Sequence, residues 1–276
     1  MIILLQCSDR VGLVADIARV MAEAGLNIIS MREFVNTEEE RFYIRIHIDA
    51  RPDSKEIEQK LLAALPADTQ IVVNPTPEKK VIVLVTKEYH CLGDILLRNF
   101  FNTFEASVQC VIGNYDDLRP LTEKFDIPYY YISHEGISKE EFESQILEII
   151  AKYEHDYLIL AKFMRILSPD FIARYPMKII NIHHSFLPAF VGAKPYRQAY
   201  QRGVKLIGAT AHFVTNSLDE GPIIAQQIIP VNHSHTISNM VSLGKEIEKS
   251  VLAKALQFVF QDRVMVYKNK TIVFEN

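Results

Sequence analysis

Apolar and polar positions over the first 76 residues follow two periods, one typical of strands and the other of helices. Asp9 is a candidate cap for the first helix, and Gly12 and Gly25 lie where the backbone must turn into and out of it. The predicted elements are a strand at 1–8, a helix at 11–24, strands at 26–36 and 41–50, a helix at 54–65 and a strand at 70–75. This β-α-β-β-α-β order predicts a ferredoxin-like α+β domain over residues 1–76.

A polar run, NPTPEKK, separates this pattern from the next one. Its two prolines disfavour helix and are typical of a short, fairly stiff linker. We therefore predict a linker at 77–80 and a second domain from Val81 to residue 276.

From Val81 onward, apolar strands alternate with amphipathic helices, the order of a doubly wound, mostly parallel α/β sheet. Near the C-terminus, the segment RVMVYKNKTIVF predicts a short hairpin. Ser168 is expected to cap the helix that opens with Pro169. Strands are predicted at 81–86, 108–113, 128–132, 157–160, 178–182 and 206–214, and helices at 93–101, 117–125, 139–153 and 237–262.

Candidate chemistry lies at the ends of two of these strands. Asn181 and His183 are two residues apart, so their side chains project to one side. Thr210 and His212 share one face of the strand at 206–214 by the same rule, and Asp219 follows in a turn. An amide donor, an imidazole and a carboxylate together can support acyl hydrolysis. Spacing alone leaves open the alternative that these residues form turns and bind backbone groups.

Composition narrows the function classes. The formal net charge of −4 and a pI near 6.2 give no reason to expect nucleic acid or an anionic membrane as a partner. No apolar span is long enough to cross a membrane and no signal peptide is evident, so we expect a cytoplasmic protein.

Cys7, Cys91 and Cys110 are expected to be reduced and structural. The His233 and His235 pair lacks further ligands, so no metal is predicted.

Four motifs, NIHHSFLPAF, GAKPY, GATAHFV and LDEGPII, resemble the folate-dependent formyltransferase fold. The His183–His184 pair is similar to that of formyltetrahydrofolate deformylases, since related glycinamide ribonucleotide transformylases usually carry proline at the second position. The resemblance implies hydrolysis of 10-formyltetrahydrofolate to tetrahydrofolate and formate, which regulates one-carbon pools and supplies formate for purine biosynthesis, with folate as substrate and no cofactor.

The same resemblance assigns the site residues. It implies Asn181, His183 and Asp219 as the catalytic triad, with His184, Thr210 and His212 beside it. Folate contacts are implied for Met164, Arg165, Ile166, Leu167 and Leu218. Arg197 stands where histidine is frequent in deformylases, and we expect it to affect loop packing only.

The N-terminal segment DRVGLVADIARVMAEAGLNI resembles an ACT regulatory domain. This resemblance implies an amino-acid effector site at Asp9, Gly12 and Asn27 and pairing into a homo-oligomer, a dimer or tetramer. A bare dimerisation module stays open as the alternative.

Four other functions are alternatives to hydrolysis. The turn from Lys87 to Gly93 has one glycine and carries Glu88, so a phosphorylated amine acceptor has no evident binding site and water becomes the expected nucleophile. A methionyl-tRNA formyltransferase is disfavoured because no basic domain follows Asp262. A transformylase with an unphosphorylated amine acceptor, or an amino-acid sensor without turnover, stays open.

Overall fold

The computed structural model describes residues 1–49, 53–74, 78–189 and 195–275 and divides into two compact units. The first unit comprises Met1–Pro77, Gln261–Tyr267 and Ile272–Asn276, and the second comprises Glu78–Phe260 and Lys268–Thr271.

The first unit is built on a four-stranded antiparallel sheet carrying two helices. Its sheet order, β2-β3-β1-β4, confirms the predicted ferredoxin-like arrangement. Alternate residues of the strands and the apolar faces of both helices form one buried cluster that includes Ile3, Ile17, Ile44 and Leu61. The elements are β1 (Ile2–Ser8), α1 (Leu13–Glu23), β2 (Ile28–Asn36), β3 (Arg41–Ile48), α2 (Ser54–Ala64) and β4 (Gln70–Asn74).

The predicted capping role of Asp9 is wrong. Helix α1 begins at Leu13, and its capping position is Gly12, which has φ +94° and makes no side-chain capping bond. A positive φ suits glycine because a Cβ would be strained there, so backbone conformation rather than a carboxylate starts this helix. Asp9 is exposed, and its backbone N–H donates to the Glu40 carbonyl.

The predicted linker is too long at its carboxyl end. Its two prolines lie outside the described residues, but Lys79 and Lys80 already belong to a strand, where they pair with Ala106 and Ser107. The backbone N–H of Lys80 also donates to Asp156. The second domain therefore begins before Val81, because the two lysines that made the segment look like a polar linker take part in sheet pairing.

The second unit is a seven-stranded sheet with order β11-β10-β9-β8-β5-β6-β7. Five strands, β5 to β9, are parallel, and β10 and β11 are antiparallel additions at one edge, which confirms a mostly parallel sheet. The elements are β5 (Lys79–Val85), α3 (Tyr89–Phe100), β6 (Ala106–Gly113), α4 (Arg119–Glu123), β7 (Tyr129–Tyr131), α5 (Lys139–Ile150), β8 (Tyr157–Ala161), α6 (Pro169–Arg174), β9 (Ile179–His183), α7 (Pro195–Arg202), β10 (Leu206–Phe213), β11 (Ile223–Pro230) and α8 (Ile237–Phe260).

Several predicted bounds shift in this unit. Strand β11 was not predicted, α3 begins four residues earlier than expected, and α4 is a short helix of five residues. Ser168 caps α6 as predicted, since its hydroxyl accepts from the Phe171 backbone N–H. The strand order reverses between β5 and β8, and the carboxyl ends of strands at such a reversal are where open α/β sheets bind ligands.

The C-terminal residues form the predicted hairpin, β12 (Val264–Tyr267) and β13 (Lys270–Val273). Met265 and Phe274 pack with Leu4 and Tyr43 in a small buried cluster of the first unit. The second domain therefore does not run unbroken to residue 276, because burial of these apolar side chains returns the chain to the first unit. Among the described residues, no helix combines the length and apolarity needed to cross a bilayer.

Candidate active site

A cavity of about 310 Å³ opens at the carboxyl ends of β8 and β9 and is closed on its other side by the turn after β10. Its location matches the rule for open α/β sheets. The lining residues are Leu160, Lys162, Phe163, Met164, Arg165, Ile166, Leu167, Ile172, Asn181, Ile182, His183, His184, His212, Val214, Thr215, Asn216, Ser217, Leu218 and Asp219.

Asn181 is oriented by His212 across the β9–β10 pairing, where the two residues are directly opposite. Nδ1 of His212 lies 2.9 Å from the Phe213 carbonyl oxygen, so Nδ1 carries the proton and Nε2 is free to accept. Nδ2 of Asn181 donates to that Nε2 over 3.2 Å. Burial lowers the pKa of His212, which keeps the ring uncharged at neutral pH. The amide of Asn181 therefore has one N–H committed to His212 and a second left for a ligand.

His183 lies beside Asp219. Its Nδ1 is 3.3 Å from Oδ1 of Asp219, and its ring is buried. The other ring nitrogen, Nε2, is buried and has no hydrogen-bond partner. Because the carboxylate holds the proton on Nδ1, Nε2 is the nitrogen available to a bound molecule.

Asp219 is a partly buried carboxylate with a left-handed backbone, φ 57°. Burial raises its pKa, but the hydrogen bond from His183 and the neighbouring His212 and His184 outweigh burial and hold the pKa below its usual value. Asp219 is therefore ionised at neutral pH and serves as a fixed acceptor for His183. Non-glycine residues in this backbone region often mark functional sites.

The turn that carries Asp219 depends on Gly221. A Cβ at Gly221 would lie 1.8 Å from the backbone oxygen of Phe213, which is also the acceptor for His212. No side chain fits in that space.

We expect Gly221→Ala to destabilise the protein by about 1–3 kcal/mol and to lower kcat, because the turn must move and take Asp219 with it. Urea unfolding and steady-state kinetics measure both effects. The control is Gly93→Ala in α3, where the added Cβ meets nothing within 4 Å. Equal unfolding free energies and equal kcat values for Gly221→Ala and Gly93→Ala would contradict the claim that the turn at Gly221 positions Asp219.

The ring of His184 is adjacent to the rings of His183 and Tyr196. Its ring centroid is 5.0 Å from that of His183 and 6.3 Å from that of Tyr196. Burial, followed by the charge of Lys162, lowers the pKa of His184 to about 4. The two adjacent imidazoles therefore have different surroundings, and His184 is uncharged at neutral pH.

The walls of the cavity are apolar and open to a ligand. Met164, Ile166 and Leu218 are exposed by 54%, 63% and 54%, high values for side chains of this type. Arg165 is also exposed, whereas Leu167 is buried in the core and presents little surface to a ligand. The backbone N–H of Met164 is held by the hydroxyl of Thr86 after β5, which fixes the start of this wall.

Thr210 does not line the cavity. Its hydroxyl donates to the Ser185 carbonyl and accepts from the Leu187 backbone N–H and from Gln226. Thr210, which the resemblance places beside the triad, therefore has a supporting role, because its hydroxyl holds the loop that follows His184. Residues 190–194 of the NIHHSFLPAF and GAKPY motifs lie outside the described residues.

A buried polar cluster behind the cavity was missed by sequence reasoning. Glu248 on α8 accepts from Tyr196 over 2.6 Å and from His90 over 2.8 Å, and Nζ of Lys162 lies 3.1 Å away. Glu248 stands in a charged run with Lys245, Glu246 and Lys249, a pattern typical of the solvent-facing side of a helix, but its own side chain is 1% exposed. Helical spacing could have revealed it, since Glu248 lies one residue after buried Ile247 and four residues before buried Leu252.

His90, Cys91 and Glu248 form the one group of three metal-binding residue types that the described ranges bring within reach of one another. Both oxygens of Glu248 already accept hydrogen bonds, and an ammonium group sits beside them. Burial also raises the pKa of the Cys91 thiol, which disfavours the thiolate that a metal needs. This donor set fits a hydrogen-bonded ion pair better than a cation.

Glu248 should contribute to stability in a pH-dependent way. Burial raises its pKa, but His90, Lys162 and Tyr196 outweigh burial and bring the pKa to about 2, below the ordinary 4.5. The contribution is complete above pH 4.5 and is lost as pH falls toward 2.

We expect Glu248→Gln to lose about 3 kcal/mol of unfolding free energy at pH 7 and to show a flatter decline of stability between pH 5 and pH 2. Urea unfolding at several pH values measures both. Glu246→Gln, an exposed neighbour on the same helix, is the control, and equal acid sensitivity of the two variants would refute the assignment.

The segment from Lys87 to Gly93 is not a loop. Helix α3 begins at Tyr89, so most of the segment is helical, and Glu88 pairs with Lys245 over 2.7 Å. Burial of His90 and Cys91 turns both side chains into the fold. The N-terminus of α3 thus lies next to the carboxylate of Glu88, and the segment contains one glycine.

The predicted effector residues are not brought together within one chain. Asp9 and Gly12 follow β1 at the end of the sheet where Ser8 pairs with Arg41. Asn27 precedes β2 at the other end, where its carbonyl accepts from Asp49. A strand of this length spans roughly 20 Å, so one chain cannot place all three around one small ligand.

Comparisons with known proteins agree with this architecture. The family model described as Formyl transferase matches residues 79–256, and the one described as ACT domain matches residues 1–65. A formyltetrahydrofolate deformylase of Haemophilus influenzae is 47% identical over 272 residues, which cover 99% of this chain and 98% of the relative. The chain belongs to the formyltetrahydrofolate deformylase family.

Solved structures place it in the same family. A formyltetrahydrofolate deformylase from Pseudomonas syringae pv. tomato has a TM-score of 0.93 and 37% identity, covering 99% of this chain and 94% of that one. A glycinamide ribonucleotide transformylase from Symbiobacterium toebii has a TM-score of 0.69 and 26% identity, covering 72% of this chain and 95% of that one. The deformylase family, including its ACT domain, is therefore the one that accounts for nearly the full chain.

Proposed function

We propose that this chain hydrolyses 10-formyltetrahydrofolate to tetrahydrofolate and formate. The observation that carries the proposal is the arrangement around His183, whose Nδ1 is held by Asp219 while Nε2 is buried and unpartnered beside the cavity. The near full-length similarity to deformylases supports the same reaction. The products would set the balance of one-carbon pools, including formate for purine biosynthesis.

The folate would occupy the apolar part of the cavity. A flat heterocycle needs apolar walls and a few polar groups, which the exposed side chains of Met164, Ile166 and Leu218 and the nearby backbone provide. Arg165 would contact the polar part of the substrate, and Leu167 would support the wall from the core. This orientation brings the formyl group toward Asn181 and His183 at the end of β9.

The chemistry follows from the hydrogen bonds. The free N–H of Asn181 would donate to the formyl oxygen and stabilise the oxyanion that forms when water attacks the formyl carbon. Nε2 of His183 would take a proton from water and pass it to N10 as the carbon–nitrogen bond breaks. Asp219 has a lowered pKa and is a weak base, so its proposed role is to hold His183 and stabilise its charged form. His184 would stay uncharged beside it.

We infer that the ACT domain contributes a homo-oligomer, a dimer or tetramer, and an amino-acid effector site. Because Asp9 and Gly12 lie at one end of the sheet and Asn27 at the other, an effector that contacts all three would bind between two copies. Light scattering with and without candidate amino acids tests this proposal.

The experiment that tests the function is incubation of the purified protein with 10-formyltetrahydrofolate in amine-free buffer, with formate and tetrahydrofolate measured over time. Equimolar formation of both at an enzymatic rate supports hydrolysis. Turnover only after addition of an amine would identify a transformylase, and folate binding without any turnover would identify a sensor.

A further inference from the structure

The C-terminal hairpin ends in a tip that belongs to the second unit. Its strands β12 and β13 are assigned to the first unit, whereas the tip, Lys268–Thr271, is part of the second. Lys268 has φ 53°, a backbone region that residues other than glycine rarely adopt. The tip therefore carries a conformational cost, and such a cost persists where surrounding contacts hold the chain in place.

Two side chains of the tip bind the turn and strand that follow β10. Nδ2 of Asn269 donates to the Glu220 carbonyl over 2.8 Å, and the hydroxyl of Thr271 donates to the Ile223 carbonyl over 2.5 Å. Ile223 is the first residue of β11, which is an edge strand of its sheet. Backbone groups on the outer side of an edge strand lack a strand partner, and the tip supplies donors to them.

These bonds lie beside the residue that orients the active-site imidazole. Asp219 precedes Glu220, has a left-handed backbone with φ 57°, and places Oδ1 3.3 Å from Nδ1 of His183. On the inner side of the same turn, the Pro222 carbonyl accepts from the Phe213 N–H over 2.9 Å. The turn is thus held from β10 on one side and from the hairpin tip on the other.

We propose that Asn269 and Thr271 are positioning residues of the deformylase reaction, which hold the turn that places Asp219 beside His183. The inference rests on the role of Asp219 in the proposed function. In the described part of the chain, neither residue is among those that line the cavity, so each acts through the backbone of the turn. A displacement of about 1 Å in a catalytic group can cost up to roughly 100-fold in rate.

The kinetic test compares near-isosteric variants that differ in the donor. Asn269→Asp keeps the shape of the side chain but replaces the N–H donor with a carboxylate, which cannot donate to a carbonyl. Thr271→Val removes the hydroxyl, whereas Thr271→Ser keeps it. We expect Asn269→Asp and Thr271→Val each to lower kcat by about 3- to 10-fold with KM within about twofold, and Thr271→Ser to retain the parent kcat.

Amide hydrogen exchange of the full-length protein measures the hold on the turn without turnover. Exchange across residues 213–223 should become several-fold faster in Asn269→Asp and Thr271→Val, while exchange in β5 stays at the parent rate. Lys270→Ala, which truncates an exposed side chain of the same tip, is the control and should leave both kcat and exchange unchanged.

Asn269→Ala covers the case in which Asn269→Asp fails to fold because its carboxylate faces the Glu220 carbonyl. A folded Asn269→Asp or Asn269→Ala variant with the parent kcat and the parent exchange rate overturns the proposal. Equal kcat losses in Thr271→Ser and Thr271→Val, or a loss confined to KM, also overturn it. Exchange needs no substrate, so failure of the proposed function would appear separately, as absence of formate release by the parent protein.

Discussion

Asp219→Asn should lower kcat by about 10³–10⁴-fold while folate binding survives. An amide at this position can present its NH₂ group to Nδ1 of His183, so the ring would no longer be held with its proton on Nδ1. Nε2 would then carry the proton and could not accept one from water. The charged form of His183 would also lose its counter-ion.

Two measurements separate this effect from damage to the fold. Tetrahydrofolate binding, followed by fluorescence, should stay within a few-fold of the parent protein because the apolar walls are unchanged. Asp117→Asn, an exposed carboxylate before α4, is the control and should retain activity. Wild-type turnover by Asp219→Asn would remove Asp219 from the mechanism.

Asn181→Ala should lower kcat by about 10²–10³-fold, with a smaller effect on KM. The variant removes the donor that would stabilise the oxyanion, an interaction that strengthens as negative charge develops in the transition state. It also leaves Nε2 of His212 without its partner, but His212 keeps its bond to the Phe213 carbonyl and remains in place.

The matched control is Asn216→Ala. Asn216 lines the same cavity but is exposed in the loop after β10, whereas the hydrogen bond to Nε2 of His212 comes from Asn181. Its removal should change kcat far less than removal of Asn181. Similar losses for both asparagines, or a loss that is confined to KM, would show that Asn181 binds substrate without stabilising the transition state.

Local patterns in the sequence predicted most of the fold. Period-two alternation located β9 and β10 and placed Asn181 with His183 and Thr210 with His212, whereas the pairing of Asn181 with His212 is a contact between strands that alternation does not contain. The strand–helix order of the first domain was likewise confirmed, and β11 is a strand of the second domain that was not predicted. The positions of strands and helices depend largely on residues that are near in sequence, so the periodicity of apolar residues predicts them.

Features that depend on distant contacts were not predictable in this way. Glu248 looks like a solvent-facing residue in the sequence because it stands beside the charged residues Glu246 and Lys249. Its three partners lie on other elements. Strand β11 was missed because its apolar pattern is broken by two glutamines. The return of the C-terminal hairpin to the first unit depends on packing against Leu4 and Tyr43, more than two hundred residues away in the chain.

The most direct test of the central claim is turnover of 10-formyltetrahydrofolate in amine-free buffer made with H₂¹⁸O, with the formate examined by mass spectrometry. The account predicts formate that carries one ¹⁸O atom, formed in equal amount with tetrahydrofolate by the parent protein and not by Asp219→Asn. Formate without the label, or no formate until an amine is supplied, would contradict it.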